Sequence, residues 1–180
     1  YVKQDSETGK YSLTLKLLGL SNKLLSHMDI LDAVRPSLKA LAEETGETVH
    51  FVQLDGLEAV YIYKEESTQN SVRMVSKVGS RIPLYCSGVG KAMAADMEEP
   101  QIRSIWEHST IRKLTSHTII DYTQFLEKIK EVREKGYALD DEENELGVRC
   151  IAVSIPDYLG RPKYAFSISA PAARMSDERI

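Results

Sequence analysis

Cysteine is scarce in this chain. Only Cys86 and Cys150 occur among the 180 residues, they lie far apart, and neither belongs to a Cys-x-x-Cys pair. A disulfide scaffold and a structural zinc site both need more cysteines at closer spacing. The cysteine content therefore argues against both, and we expect a protein of the reducing cytoplasm.

An excess of positive charge and long apolar runs are also missing. The formal net charge is -4, whereas a domain that wraps nucleic acid usually carries a basic face. No apolar run approaches the roughly 18 residues that span a bilayer, and no secretory signal stands at the start. The sequence predicts neither membrane insertion nor direct DNA binding by this segment, although a basic module outside it remains compatible with these observations.

No recognised catalytic or metal-binding motif is present. A nucleophilic Cys150 would need a histidine base and an orienting partner, and no histidine stands in such a constellation. Residues 140–145 supply carboxylates but not the spacing of an EF-hand loop, and we expect residues 141–145 to belong mostly to solvent or to helix caps. Residues 87–91, Ser-Gly-Val-Gly-Lys, lack the first glycine and the final Ser or Thr of a phosphate-binding P-loop. We expect no metal, no cofactor and no enzymatic activity. A small-molecule enzyme that uses Cys150 is the alternative.

The residues that are present suit a globular domain, with 42% hydrophobic and 28% charged positions. Alternation, helical periodicity and capping signals give the order of elements. They predict a hairpin at 1–15, helices at 15–28 and 29–45, strands at 48–54, 59–64 and 71–78, helices from Ser87, at 99–107 and at 123–135, strands at 150–155 and 163–170, and the start of a helix at 176–178. This order is typical of an α+β fold with an antiparallel sheet.

The first 28 residues are predicted to serve something outside the main domain. A lone hairpin is only marginally stable in water, so we interpret residues 1–14 as a remnant of the wing of an upstream winged helix-turn-helix module. An edge hairpin of the same domain is the alternative. The leucine-rich helix at 15–28 is expected to be a linker that contributes to dimer formation, with burial in the core as an equal alternative. Because the sequence starts at Tyr1 without a Met and stops just after a helix-start signal at residues 176–178, we expect a fragment of a longer protein.

A polar strand pair close to an acidic run predicts a ligand pocket. If the strands at 150–155 and 163–170 pair through their turn, Cys150, Ser167 and Ser169 share one sheet face. Three short polar side chains on an apolar face can donate to a carboxylate or keto oxygen, and Asp140 can accept from ligand hydroxyls. The alternative is that the serines bond to the backbone and Cys150 acts as a small hydrophobic residue.

A second candidate is the helix start at residues 87–90. Ser87 is a good N-cap, and Gly88 and Gly90 allow the backbone to approach a neighbour closely. A helix N-terminus offers unpaired N–H groups to an anion. A helix start packed tightly on a sheet explains the same residues equally well.

Several segments together resemble one known family. They are Glu-Thr-Val-His-Phe at 47–51, Arg-Ile-Pro-Leu-Tyr-Cys-Ser-Gly-Val-Gly-Lys-Ala at 81–92, Gly-Tyr-Ala-Leu-Asp-Asp-Glu-Glu at 136–143, Gly-Val-Arg-Cys-Ile-Ala at 147–152 and Phe-Ser-Ile-Ser-Ala-Pro at 166–171. In this order and spacing they are similar to the effector-binding domain of the IclR family of bacterial transcriptional regulators.

The resemblance implies a GAF/profilin-like antiparallel sheet flanked by helices, with residues 29–180 as the effector-binding domain. It implies an upstream DNA-binding module, homodimers or tetramers, and a small organic acid as the effector, which Asp140 would restrict to a keto or sugar acid. The residues that the resemblance assigns to the pocket are Ser87, Gly88, Val89, Gly90, Asp140, Cys150, Ser167 and Ser169. We expect Met74, Leu84 and Val89 to form an apolar wall beside them.

Overall fold

The structure of the protein, a computed structural model, describes residues 1–26, 28–67, 69 and 74–180. In chain order the elements are β1 (Val2–Gln4), β2 (Tyr11–Leu13), α1 (Lys16–Ser26), α2 (Asp29–Thr45), β3 (Thr48–Asp55), β4 (Glu58–Glu65), β5 (Arg81–Pro83), α3 (Gly88–Ala95), α4 (Glu99–His108), α5 (Tyr122–Lys135), β6 (Ala138–Asp141), β7 (Val148–Pro156) and β8 (Pro162–Pro171), followed by 3₁₀ turns at Ala172–Arg174 and Asp177–Arg179.

The chain divides into two units, residues 1–37 and residues 38–180. In the first unit, β1 and β2 form an antiparallel hairpin in which Val2 pairs with Leu13. Every side chain of α1 is exposed or half-buried, and Leu18 and Leu24 are more than half exposed. Helices this rich in leucine are usually buried, whereas the leucines of α1 are exposed or half-buried. Its assignment as a linker stays a prediction.

The second unit is built on one antiparallel sheet of six strands in the order β5-β4-β3-β8-β7-β6. This confirms the predicted α+β class and the predicted pairing of the last two strands. Across the sheet, Asp140 pairs with Cys150 and Cys150 pairs with Ser169. Because directly paired residues point to the same face, these three side chains form one row across β6, β7 and β8.

Helix α3 packs on the same face, next to this row, and α5 packs against α3. The sheet contributes mainly small residues there, which allow the helices to approach closely. The buried cluster includes Val52, Ala59, Ala138, Ala152 and Ala165 from the sheet, Val89, Ala92 and Met93 from α3, and Phe125, Ile129 and Val132 from α5. Gly136 then ends α5 in the left-handed conformation at φ 79°, as the sequence predicts.

The strand predicted at residues 71–78 is wrong for residues 74–78, the part that the structure describes. Residues 71–73 lie outside the described residues, and residues 74–80 form an irregular segment that ends in a turn. The Lys64 ammonium donates to the carbonyls of Met74 (2.6 Å) and Ser76 (3.0 Å), and the Gly79 N–H donates to the Tyr61 carbonyl. A side chain thus takes the acceptors that a neighbouring strand would have used.

Three shorter segments also differ from the prediction. Residues 81–83 form β5, where a break was expected, because they pair with residues 58–60 of β4. The start of the acidic run forms the edge strand β6. The helix expected from Ser176 is a single 3₁₀ turn.

The close contact between the start of α3 and the backbone at Leu84 can be tested by substitution of the glycines at residues 88 and 90. A Cβ added at Gly90 would lie closer than 3.0 Å to the Leu84 backbone, whereas one at Gly88 would lie 3.3 Å from the Ala152 Cβ. We expect Gly90→Ala to lower the free energy of unfolding by about 3 kcal/mol or more, because a rigid backbone must move. Gly88→Ala, the matched control, should cost less than about 1 kcal/mol. Urea unfolding of both variants measures the difference, and equal costs would contradict the packing described.

Candidate functional site

A cavity of about 290 Å³ lies at the polar row. Its lining comes from all six strands of the sheet, from the irregular segment and from the loop after β6. The lining residues are His50, Tyr61, Met74, Val75, Ser76, Ser80, Arg81, Ile82, Pro83, Asp140, Asn144, Glu145, Val148, Cys150 and Ser169. The volume is close to the lower end of the range for small-molecule sites, so the cavity suits a compact ligand.

Asp140 stands at one side of this cavity and shapes the loop that follows. Its side chain is 3% exposed. One carboxylate oxygen accepts from the backbone N–H groups of Glu143 (2.9 Å) and Asn144 (3.3 Å). Burial raises the pKa of Asp140 to about 6, against the lowering effects of Lys91 and of these hydrogen bonds. Asp140 is therefore mostly ionised at neutral pH and is an acceptor for ligand hydroxyls.

A buried ion pair supports the same loop from behind. The Lys91 ammonium on α3 contacts a carboxylate oxygen of Glu143, and both residues are buried. The Thr118 and Thr115 hydroxyls donate to the carbonyls of Glu143 (2.6 Å) and Glu142 (2.7 Å). The expectation that residues 141–145 belong mostly to solvent or to helix caps is thus wrong for Glu143. A lysine within an otherwise apolar, alanine-rich helix was the available signal for a buried partner.

Cys150 is half-buried at the centre of the cavity floor, next to Ser169, with which it pairs across β7 and β8. Burial, together with the charge of Asp140, raises the pKa of Cys150 to about 12. Reactive cysteines instead have a depressed pKa and a cationic neighbour. The chemistry of Cys150 therefore supports a hydrogen-bonding contact and gives no support to the alternative of a nucleophile.

His50 is the principal cavity residue that the sequence reasoning missed. Its Nδ1 lies 3.1 Å from the Ser169 Oγ, and its Nε2 lies 2.5 Å from the Ser76 Oγ. Burial and the nearby Lys64 lower the pKa of His50 to about 3, so the ring is neutral at physiological pH. The available signal was the alternation of β3, which puts residue 50 on the sheet face that also carries Ser167 and Ser169.

The ten predicted site residues fall into two groups. Four line the cavity: Met74, Asp140, Cys150 and Ser169. The others do not belong to its lining: Leu84, Ser87, Gly88, Val89, Gly90 and Ser167.

Within the second group, the helix start has a packing role. The Ser87 hydroxyl donates to the Pro83 carbonyl (2.7 Å) and accepts from the Gly90 N–H (3.1 Å). A Cβ added at Gly88 would lie 3.4 Å from the Cys150 carbonyl oxygen and 3.5 Å from the Asp140 nitrogen. The start of α3 therefore adjoins the cavity floor, and a contact between it and a ligand stays a prediction.

Across the described ranges, no group of three or more His, Cys, Asp or Glu side chains could hold a metal ion. Within the same part of the chain, none of the helices combines the length and the apolar character needed to cross a membrane.

The raised pKa of Asp140 predicts a pH-dependent effect on stability. Because the folded-state pKa of about 6 exceeds the ordinary aspartate value of 3.8, the folded protein binds this proton more tightly, and stability is lost as the pH rises through this window. Asp140→Asn removes the titration and keeps an oxygen for the two N–H groups. We expect the variant to gain up to about 3 kcal/mol relative to the parent between pH 4 and pH 7.

Urea unfolding at a series of pH values measures this difference. Ser80→Ala, at an uncharged lining residue, is the control and should show the same difference from the parent at every pH. An Asp140→Asn difference that does not change with pH would contradict the assignment.

Comparison with known proteins identifies the family. A sequence model described as "Bacterial transcriptional regulator IclR C-terminal" matches residues 22–180. The HTH-type transcriptional regulator KdgR of Escherichia coli K12 is 39% identical over 180 residues, which are 100% of this chain and 68% of that protein. The DNA-binding transcriptional repressor YiaJ of the same organism is 39% identical over 97% of this chain and 63% of its own length. The chain thus spans about two thirds of these relatives.

Solved structures agree. The crystal structure of Thermotoga maritima IclR superposes with a TM-score of 0.87 at 32% identity and covers 99% of this chain and 72% of that one. The C-terminal domain of E. coli KdgR gives a TM-score of 0.75 at 35% identity, over 84% of this chain and 87% of that one. By sequence and by fold, the chain belongs to the IclR family of bacterial transcriptional regulators and contains the C-terminal domain of that family.

Proposed function

We propose that this chain is the effector-sensing part of a DNA-binding transcriptional regulator and that its cavity binds a small organic acid, namely a keto acid or a sugar acid. The observation that carries the proposal is the row of Asp140, Cys150 and Ser169 along the floor of a cavity of about 290 Å³. The row combines an ionised acceptor with neutral thiol and hydroxyl groups.

The polarity of the cavity supports this ligand class. Ligand hydroxyls are natural donors to Asp140, and the carboxylate or keto oxygen of the same ligand can accept from Cys150 and Ser169. A hydrogen bond to a charged group is worth about 1.5–3 kcal/mol. An unsubstituted aromatic acid such as benzoate has neither a hydroxyl for Asp140 nor a keto oxygen for Cys150 and Ser169.

The pocket that we propose combines both groups of predicted residues. Met74, Asp140, Cys150 and Ser169 are its direct contacts. The helix start at residues 87–90 adds N–H groups toward the ligand anion, with Leu84 and Ser167 as neighbours. The close approach of Gly88 to the backbone of Asp140 and Cys150 supports this extension.

The proposal extends to the whole regulator. Residues 1–14 are the end of a winged helix-turn-helix wing, the DNA-binding module precedes them, and the protein works in the cytoplasm as a homodimer or tetramer. Effector binding would favour one arrangement of the subunits by its differential affinity, and so change the spacing of the DNA-binding heads on their half-sites.

Calorimetric titration of the chain with gluconate, pyruvate and benzoate tests the proposal. We expect gluconate or pyruvate to bind more tightly than benzoate. Ligand at about 100 times its dissociation constant should stabilise the protein by about 2.7 kcal/mol in a thermal-shift assay. Tight binding of benzoate with no binding of the other two acids would overturn the assigned ligand class.

Two variants connect this binding to the cavity. Ser169→Ala removes a donor from the floor and should weaken binding about tenfold. Ser154→Ala, on the same face of β7 but outside the cavity lining, should leave the affinity unchanged. Equal affinities for both variants would show that the ligand binds elsewhere.

A further inference from the structure

We propose that His50 is a positioning residue that sets whether Ser169 donates or accepts a hydrogen bond toward the ligand, and that it couples this choice to Ser76 on the irregular segment 74–80. The inference rests on the proposed function, because it concerns how the same cavity recognises an acid. It adds a residue that the sequence reasoning did not assign to the pocket.

The geometry is a chain of polar groups across the cavity. The imidazole of His50 lies between two hydroxyls, with Nδ1 3.1 Å from the Ser169 Oγ and Nε2 2.5 Å from the Ser76 Oγ. Ser169 is in turn the strand partner of Cys150 on the cavity floor. Both serines line the cavity. Ser169 belongs to a strand of the sheet, whereas Ser76 belongs to a segment without strand pairing.

The surroundings of the ring keep it neutral. His50 is 3% exposed, and its ring centroid lies 5.0 Å from that of Tyr61. The charged groups that act on it are Lys64, which disfavours an imidazolium, and Glu66, which favours one. Lys64 is held by the carbonyls of the irregular segment and by Glu66, at 2.7 Å. Burial outweighs the effect of Glu66 and lowers the pKa of His50 to about 3.

A neutral imidazole has one N–H donor and one lone pair, so the hydrogen bonds between Ser169, His50 and Ser76 can run in two directions. When the proton is on Nδ1, the ring donates to Ser169, Ser169 is free to donate into the cavity, and Ser76 must donate to Nε2. When the proton is on Nε2, the ring donates to Ser76, Ser169 donates to Nδ1, and Ser169 offers the cavity only lone pairs.

The ligand decides between these arrangements. A carboxylate or keto oxygen is an acceptor only, so it selects the Nδ1–H tautomer, in which Ser169 is a donor. Ser76 then changes from acceptor to donor. When an acid binds to Ser169 on the sheet, the hydrogen bond between His50 and Ser76 on the irregular segment therefore reverses its direction. The distances from the ring to the two serine hydroxyls need not change.

Nitrogen-15 NMR of the histidine side chains reads the tautomer directly, and the signals that disappear in His50→Gln identify residue 50. In the free protein, Ser169→Ala should raise the fraction of Nε2–H, and Ser76→Ala should raise the fraction of Nδ1–H. Each change should be about fivefold in the tautomer ratio, the equivalent of one hydrogen bond. Ser80 lines the cavity but does not belong to this hydrogen-bonded chain, so Ser80→Ala should leave the tautomer ratio unchanged. Serine variants that leave the tautomer ratio unaltered would overturn the proposal.

Gluconate is the probe for the ligand step. Its addition to the parent protein should raise the Nδ1–H fraction, and binding without this change would overturn the proposal. Failure of gluconate, pyruvate and benzoate to bind at all would count against the proposed function instead, and the serine variants would still decide whether the chain of hydrogen bonds exists.

A pair of His50 variants separates positioning from simple structural support. In His50→Asn the amide reaches the position of Nδ1 and can still donate to Ser169, whereas in His50→Gln it reaches the position of Nε2 and the contact with Ser76. We expect His50→Asn to bind gluconate within about threefold of the parent and His50→Gln to bind it about tenfold more weakly. Equal losses, or tighter binding by His50→Gln, would indicate that the ring only fills space.

Discussion

The close approach of α3 to the sheet is the constraint on which the rest of the domain depends. At Gly90 there is no room for a side chain against Leu84, and at Gly88 the helix start lies against the backbone of β6 and β7. Small residues continue this contact, with Ala152 and Ala165 in the sheet below. Since α3 seals only part of the face, the polar row beside it borders a cavity. The same helix start that fixes the core therefore fixes one boundary of the site.

The second consequence of this packing is a charge placed where no solvent reaches it. Lys91 is fully buried on α3, and an unpaired ammonium there would be very costly, so its pairing with Glu143 is obligatory for the fold. The pair in turn holds the loop after β6, because the backbone N–H of Glu143 donates to Asp140. Asp140 is thus oriented by the backbone of a residue that is itself anchored in the core. A ligand group that meets Asp140 meets a preorganised acceptor and not a mobile surface carboxylate.

Local patterns in the sequence predict the structure correctly, whereas segments whose structure depends on a distant partner differ from the prediction. Alternation along two strands and a turn between them sufficed to bring Cys150 and Ser169 together, and their pairing is observed. The acidic run looked solvated because its partner Lys91 is 52 positions away in the chain. The strand predicted at 71–78 has the right alternation in its described part, but the Lys64 side chain takes the carbonyls that a ladder would need. The pattern at residues 87–90 is compatible with helix packing and with anion binding, so their packing role is evident only from the three-dimensional structure.

A sensor needs one part of its site to be rigid and another part to have alternatives. The floor row of Asp140, Cys150 and Ser169 is fixed by strand pairing on both sides of β7, so a ligand gains little by displacing it. The opposite wall, residues 74–80, is attached to the sheet in the described structure by exchangeable contacts: the Lys64 ammonium, the backbone hydrogen bonds of Tyr61 with Gly79 and Ser80, and the hydroxyl of Ser76. Of these contacts, only the one at Ser76 runs through His50 to a residue of the floor. Because a ligand can shift an equilibrium only through groups that it contacts differently in two states, a ligand that hydrogen-bonds with Ser169 can act on the wall through this connection, in addition to any direct contact with Met74 in the cavity lining.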